Sequence, residues 1–210
     1  MAAKNEREYR AMTLRALDPE PEAQEQKKIV RGYATTFDEE YTLYKYDGFE
    51  LRESVDPHAF DECDMSDVIM QYDHQGRVFA RNKNKTLSLQ TDEHGLLIEA
   101  DLGGTDIGRQ LYDEIRGGYT DKMSFGFIVS GNTRTYETID ENGQHLEICH
   151  RRITKISKLF DVSAVSLPAN DMTSISARQL ADGVIREVEA ERLRRANIRR
   201  AKARLELMEV

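Results

Sequence analysis

Strand-length apolar runs separated by turn residues fill the middle of the chain, and both ends depart from that pattern. Lys28-Ile29-Val30-Arg31-Gly32-Tyr33-Ala34-Thr35-Thr36-Phe37 is a β-rich run with an internal glycine. Glu50-Leu51-Arg52-Glu53-Ser54-Val55 predicts the next strand, and Asp56-Pro57 opens a turn or short helix ending near Cys63. Val68-Ile69-Met70-Gln71-Tyr72 predicts a compact strand that stops at Asp73-His74-Gln75-Gly76. Residues 87–90 and 96–100 flank Asp92-Glu93-His94-Gly95, a hairpin pattern. Thr105 is placed to cap a helix with apolar positions Ile107, Leu111 and Ile115 and a Gly117-Gly118 stop. Further strands are expected at 122–129, 146–152, 153–156 and 159–167, with a polar hairpin around Asp140-Glu141-Asn142-Gly143. Pro168-Ala169-Asn170 closes this region.

Residues 8–16 offer an edge strand (Tyr9, Met12, Leu14), and Asp18-Pro19-Glu20-Pro21 interrupts any regular element after it. From about residue 176 the composition turns to Ala, Arg, Glu and Leu, with neither Pro nor Gly after Gly183. That predicts a charged helix with an uneven apolar stripe: Val184, Val188, Leu193, Ile198, Leu205 and Met208. The expected organisation is a polar segment at 1–27, a β-rich domain with one or two helices at 28–176, and a detachable helical tail at 177–210. No internal repeat is evident.

At 210 residues and 39% apolar composition, one core is affordable if polar residues concentrate in the tails. The net charge of −8 argues against sequence-independent nucleic-acid binding, which relies on Lys and Arg neutralising phosphates. Cys63 and Cys149 lie far apart in no paired motif, so two free thiols in a reducing cytoplasm are expected. The first residues contain no apolar signal region, and no run reaches the length of a membrane span.

A serine nucleophile needs a base within hydrogen-bond reach and donors for the oxyanion. Ser124 stands between Met123 and Phe125 on an apolar strand, with Gly126 beyond it to permit close approach. His74 ends an apolar strand ahead of a glycine-containing loop, the most favourable setting among the histidines. Asp161 in Leu159-Phe160-Asp161-Val162-Ser163 is a carboxylate in an apolar strand, costly to bury without a partner. Orienting an imidazole would supply one; a salt bridge to Arg152, Lys155 or Lys158 is the plainer alternative. Asp73 is a rival orienter, disfavoured because adjacent strand residues face opposite ways.

The runs Gln71-Tyr72-Asp73-His74-Gln75-Gly76-Arg77, Gly95-Leu96-Leu97-Ile98-Glu99-Ala100, Lys122-Met123-Ser124-Phe125-Gly126-Phe127 and 161–170 resemble, in order and spacing, the HK97-type phage prohead protease family. The resemblance implies a serine protease of mainly β (α+β) fold, a β-barrel-like core with flanking helices related to the herpesvirus assembly protease. It implies His74 as catalytic base and Ser124 as nucleophile. Asp161 falls where the family carries an acidic residue, more often Glu than Asp. No metal or organic cofactor is implied. The partners would be the major capsid protein precursor and its scaffolding segment, inside the procapsid assembling in the host cytoplasm, with self-cleavage usual. Nucleic acid and membrane are not required, and self-association stays open. Backbone N–H groups are the default oxyanion donors, with Arg151 or Arg152 as candidate assistants.

Two other classes compete. A non-enzymatic assembly or scaffolding factor of the same fold would act through the C-terminal helix. A metal-dependent hydrolase would use His145, Cys149 and His150, although residues 149 and 150 of one strand face opposite ways.

Overall fold

The computed structural model describes residues 7–17, 27–46, 48–141, 144–166 and 174–208. The break at 18–21, the hairpin tip Asn142-Gly143, the motif residues 167–170 and the Met208 side chain lie outside the described residues. Two antiparallel strands, β9 (Lys122–Glu141) and β10 (Gln144–Val165), form the spine. The three strands expected between 146 and 167 are thus one, bent by register shifts between Ile153 and Asp161 rather than interrupted.

Either side of the spine is built out by shorter strands. On the free side of β10, β4 (Phe49–Val55) pairs parallel with Glu147–Ile153, and β5 (Ile69–Tyr72) pairs parallel with Asp161–Ala164. Strand β3 (Tyr41–Tyr46) lines β4, and β6 (Gln75–Arg81) lines β5. Along β9 runs β1 (Glu8–Ala16), whose first part pairs with β9 and whose last three residues pair with β2 (Ile29–Thr36). Beyond β2 come β8 (Gly95–Asp101) and β7 (Leu87–Thr91). The segment expected at an edge is therefore central. Its alternation is masked in sequence because Glu8 and Arg10 are buried along with Ala11 and Leu14.

The chain is mostly β with two helices, as expected, but the sheet is open. Its path runs β3-β4-β10-β9-β1-β2-β8-β7, and among the described residues no pairing joins its ends into a barrel. Helix α1 (Asp106–Arg116) begins where Thr105 accepts a hydrogen bond from the Gly108 N–H and buries Leu111, Tyr112 and Ile115. The main core joins Leu14, Val30, Ile98, Phe125, Phe127 and Leu159 with their neighbours.

Helix α2 (Ser174–Met208) is docked rather than detached over its described middle part. Val184, Ile185 and Val188 pack on Leu43, Tyr44, Phe49 and Leu51, each side chain contributing about 1.5–3 kcal/mol on burial. Arg134 binds Glu187 (2.6 Å) and Glu191 (3.2 Å), and Glu147 accepts from Arg192 (3.0 Å) and Arg195 (3.2 Å). The stripe expected on one face is divided: Leu193, Ile198 and Leu205 are exposed. No helix among the described residues is long and apolar enough to cross a membrane.

Candidate active site

Cross-strand pairs in a sheet share a face, so the register alone assembles the site. Ala11, Ser124 and Ser163 form one row across β1, β9 and β10; Tyr9, Gly126 and Asp161 form the next. Met123, Phe125 and Phe127 point the other way, into the core. A bulge explains how Asp161 joins this face. Leu159 pairs with Phe127 and Asp161 with Gly126, so Phe160 is an extra residue. Without it Leu159 and Asp161 would share a face; with it Leu159 faces the core and Asp161 the site.

His74 reaches this face from the tight β5–β6 turn. Asp73 (φ 47°), His74 (φ 58°) and Gly76 (φ 77°) all have left-handed backbone, unusual for two consecutive non-glycine residues. The turn is tied to β10: the Asp73 N–H donates to the Ala164 carbonyl (2.9 Å), and the Asp73 carboxylate accepts from the Ser166 N–H (2.9 Å) and hydroxyl. Asp73 thus holds the turn and does not touch the imidazole as an orienter.

The His74 Nδ1–H donates to Asp161 Oδ1 at 2.5 Å. The Ser163 hydroxyl donates to the same oxygen at 2.7 Å. With Nδ1 carrying the proton, Nε2 is the free acceptor nitrogen. Both His74 Nε2 and Ser124 Oγ are buried, and neither has a hydrogen-bond partner. The Tyr9 ring covers the imidazole, with centroids 4.2 Å apart, and the Arg7 guanidinium lies 3.6 Å from Asp161 Oδ2.

Gly126 leaves room for this carboxylate. A Cβ there would stand 2.5 Å from Asp161 Oδ2 and 2.8 Å from the Tyr9 ring. Gly126→Ala is therefore expected to displace Asp161 from His74. Because misplacements near 1 Å cost about 100-fold in rate, a comparable loss of kcat should accompany near-native circular dichroism. Unchanged kcat would show that the carboxylate tolerates the shift.

Other charged candidates lie elsewhere. Lys155 binds Glu62, Lys158 binds Asp64, and Arg152 binds Asp38 and Asp56, so none of them pairs with Asp161. Nor do Arg151 and Arg152 face Ser124 as oxyanion donors. Arg151 belongs to a buried network on the opposite face of β1, where it binds Glu8 and Glu53. Arg10 joins the same carboxylates, 2.5 Å from Glu53 Oε1 and 2.7 Å from Glu8 Oε2, and Tyr41 donates to Glu53 at 2.5 Å. Burial pushes the Glu53 carboxyl up, but the Arg10 and Arg151 charges outweigh it and hold the group at about 2. Burial and the adjacent Glu53 push the Tyr41 hydroxyl well above its ordinary value.

His145, Cys149 and His150 do not converge. His145 pairs with Asp140, and His150 bridges Glu40 (2.6 Å) and Glu137 (3.2 Å), while Cys149 is buried under α2. Among the described residues no group of three metal-capable side chains occurs.

Sequence reasoning missed Ser163, Tyr9 and Arg7. The two-residue spacing from Asp161 was a usable signal for Ser163. For Tyr9 and Arg7 no local signal exists, since a pairing more than 100 residues distant in sequence brings them here.

No curated protein and no solved structure matches the chain. A family model described as caudovirus prohead serine protease matches residues 13–184, a span that includes β2 to β10 and the residues of the His74, Ser124 and Asp161 constellation. The chain belongs to the caudovirus prohead serine protease family.

Proposed function

We propose that this chain is a serine endopeptidase in which Ser124 is the nucleophile, His74 the base and Asp161 the carboxylate that orients and charge-balances the imidazole. The observation that carries this reading is the unequal treatment of the two His74 nitrogens. Nδ1 is locked on Asp161, and Nε2 is buried and uncommitted, as is the Ser124 hydroxyl.

In the first half-reaction Nε2 accepts the Ser124 proton as Oγ attacks the scissile carbonyl. The imidazolium formed is stabilised by Asp161, whose second partner, Ser163, keeps the carboxylate in place. Nε2 then protonates the leaving amine, producing an acyl ester on Ser124. Water, deprotonated by the same nitrogen, hydrolyses that ester and restores the serine. Backbone N–H groups are the oxyanion donors in this scheme, because Arg151 and Arg152 are bound to carboxylates.

Membership of a prohead protease family supports a role in capsid maturation. The substrates proposed are capsid precursor and scaffolding segments, and the chain itself, cleaved inside the procapsid in the host cytoplasm. A fluorophosphonate probe tests the nucleophile. It should add once per chain, on the peptide containing Ser124, and fail to add in His74→Ala. A chain that cleaves its capsid precursor while remaining unlabelled, or labelled elsewhere, would overturn the assignment.

A further inference from the structure

The carboxylate of Asp161 is hydrogen-bonded on one side only. Oδ1 accepts from His74 and Ser163, while Oδ2 is buried and has no hydrogen-bond partner. A buried anionic oxygen without compensation is costly, and the side chain that carries it gains by turning out towards water. Turning out would break the bond to His74 Nδ1. A further charge is needed to keep Asp161 where it is.

Among the described residues Arg7 is the cation that meets Oδ2, with its Nη1 3.6 Å away. Lys155, Lys158 and Arg152 are bound to other carboxylates. Two residues before Tyr9, Arg7 continues the face that Tyr9, Gly126 and Asp161 share. Its guanidinium is held there from two sides. It lies over the Phe160 ring, 3.9 Å from the centroid, and Nη1 donates to the Tyr9 hydroxyl at 3.4 Å. Phe160 is the bulge residue that turns Asp161 onto this face. The same extra residue thus aims the carboxylate and supplies the platform for its counter-charge. The family model begins at residue 13, so Arg7 and Tyr9 both lie outside the matched span.

We propose that Arg7 is a positioning residue for the triad of Ser124, His74 and Asp161: it compensates Asp161 Oδ2 in place, so that Oδ1 stays on His74 Nδ1. This rests on the protease reading above. Arg7 acts through Asp161, so the chemical step should depend on it and substrate binding should not.

Kinetics of the full chain on a precursor-derived peptide should show Arg7→Ala lowering kcat about tenfold, within the range of coupling between contacting residues, with KM unchanged. In an Asp161→Asn background the same substitution should cost less than about twofold, because the charge that Arg7 serves is gone. A residue that served only the fold would cost the same in both backgrounds, and one that bound substrate would raise KM. Proton spectra of the Ser124→Ala chain give a readout that needs no turnover. The low-field His74 Nδ1–H resonance should be present with Arg7 and lost to solvent exchange in Arg7→Ala, with urea denaturation as the control for folding. Full activity in Arg7→Ala, an equal loss in both backgrounds, a loss confined to KM, or an unmoved Nδ1–H resonance would each overturn the proposal. If cleavage depends on Ser124 and Arg7→Ala gives one of these results, the inference fails alone. If cleavage survives Ser124→Ala, the protease reading fails and takes the role of Arg7 with it.

Discussion

Ser124→Ala is expected to lower kcat about a million-fold and Asp161→Asn about 10⁴-fold, with KM changed little in either. The serine effect follows from removing the atom that forms the acyl bond. The aspartate effect has a different origin. An Asn amide can present its N–H₂ group to Nδ1, which favours the imidazole tautomer with its proton on Nε2, where a base must be free. It also removes the charge that balances the imidazolium. Ser163 donates to the same Asp161 oxygen as His74 Nδ1, and its hydroxyl would turn to accept from the amide there, so the fold should survive. Single-turnover kinetics on a precursor-derived peptide, with denaturation curves as control, separate chemistry from folding. A loss below tenfold for Asp161→Asn would remove Asp161 from the mechanism and leave His74 oriented by its turn alone.

The second large effect concerns stability. Glu53→Ala is expected to destabilise the protein by about 3–5 kcal/mol, the range for breaking a buried ion pair from one side. Glu53 is fully buried and takes hydrogen bonds from Arg10, Arg151 and Tyr41, so truncation strands two guanidinium groups with Glu8 as their remaining carboxylate. Its folded-state value of about 2 lies below the ordinary 4.5. A depressed carboxyl stabilises the native state above the unfolded value and loses that contribution as pH falls through the folded one. The wild type should therefore lose stability as pH drops from about 4.5 towards 2, and Glu53→Gln should flatten that part of the curve. Urea denaturation of both variants checks this; a cost below about 1 kcal/mol for Glu53→Ala would mean the network relaxes around the gap.

Local signals were legible where neighbours in sequence decide the structure. The β7–β8 hairpin, the Thr105 cap and strands β2, β4 and β5 all follow from short-range pattern and turn chemistry. The three residues singled out for catalysis on local setting and family resemblance, Ser124, His74 and Asp161, lie on separate elements, and His74 and Asp161 do meet. What was not legible depends on long-range pairing. Strand β1 reads as a polar edge because half of its buried side chains are charged, and only Glu53 and Arg151, far along the chain, make that burial tolerable. Arg151 was read as an oxyanion donor for the same reason: an arginine shows its charge in sequence but not its partner. The bulge at Phe160 is equally silent, although it decides which face Asp161 occupies.

The placement of β1 bears on when the enzyme can become active during its own synthesis. Its first pairing partner, β9, starts at Lys122, and the carboxylate under the site arrives only at Asp161. At roughly 5–20 residues per second, the ribosome exposes β1 many seconds before either exists. Such distant pairing is slow to close, because loop entropy must be overcome before contacts form. No chain that ends before Asp161 can hold Tyr9, His74, Ser124 and Asp161 together. Under the proposed assignment, a nascent chain is thus harmless to precursors made beside it until Asp161 has emerged, by chain order alone.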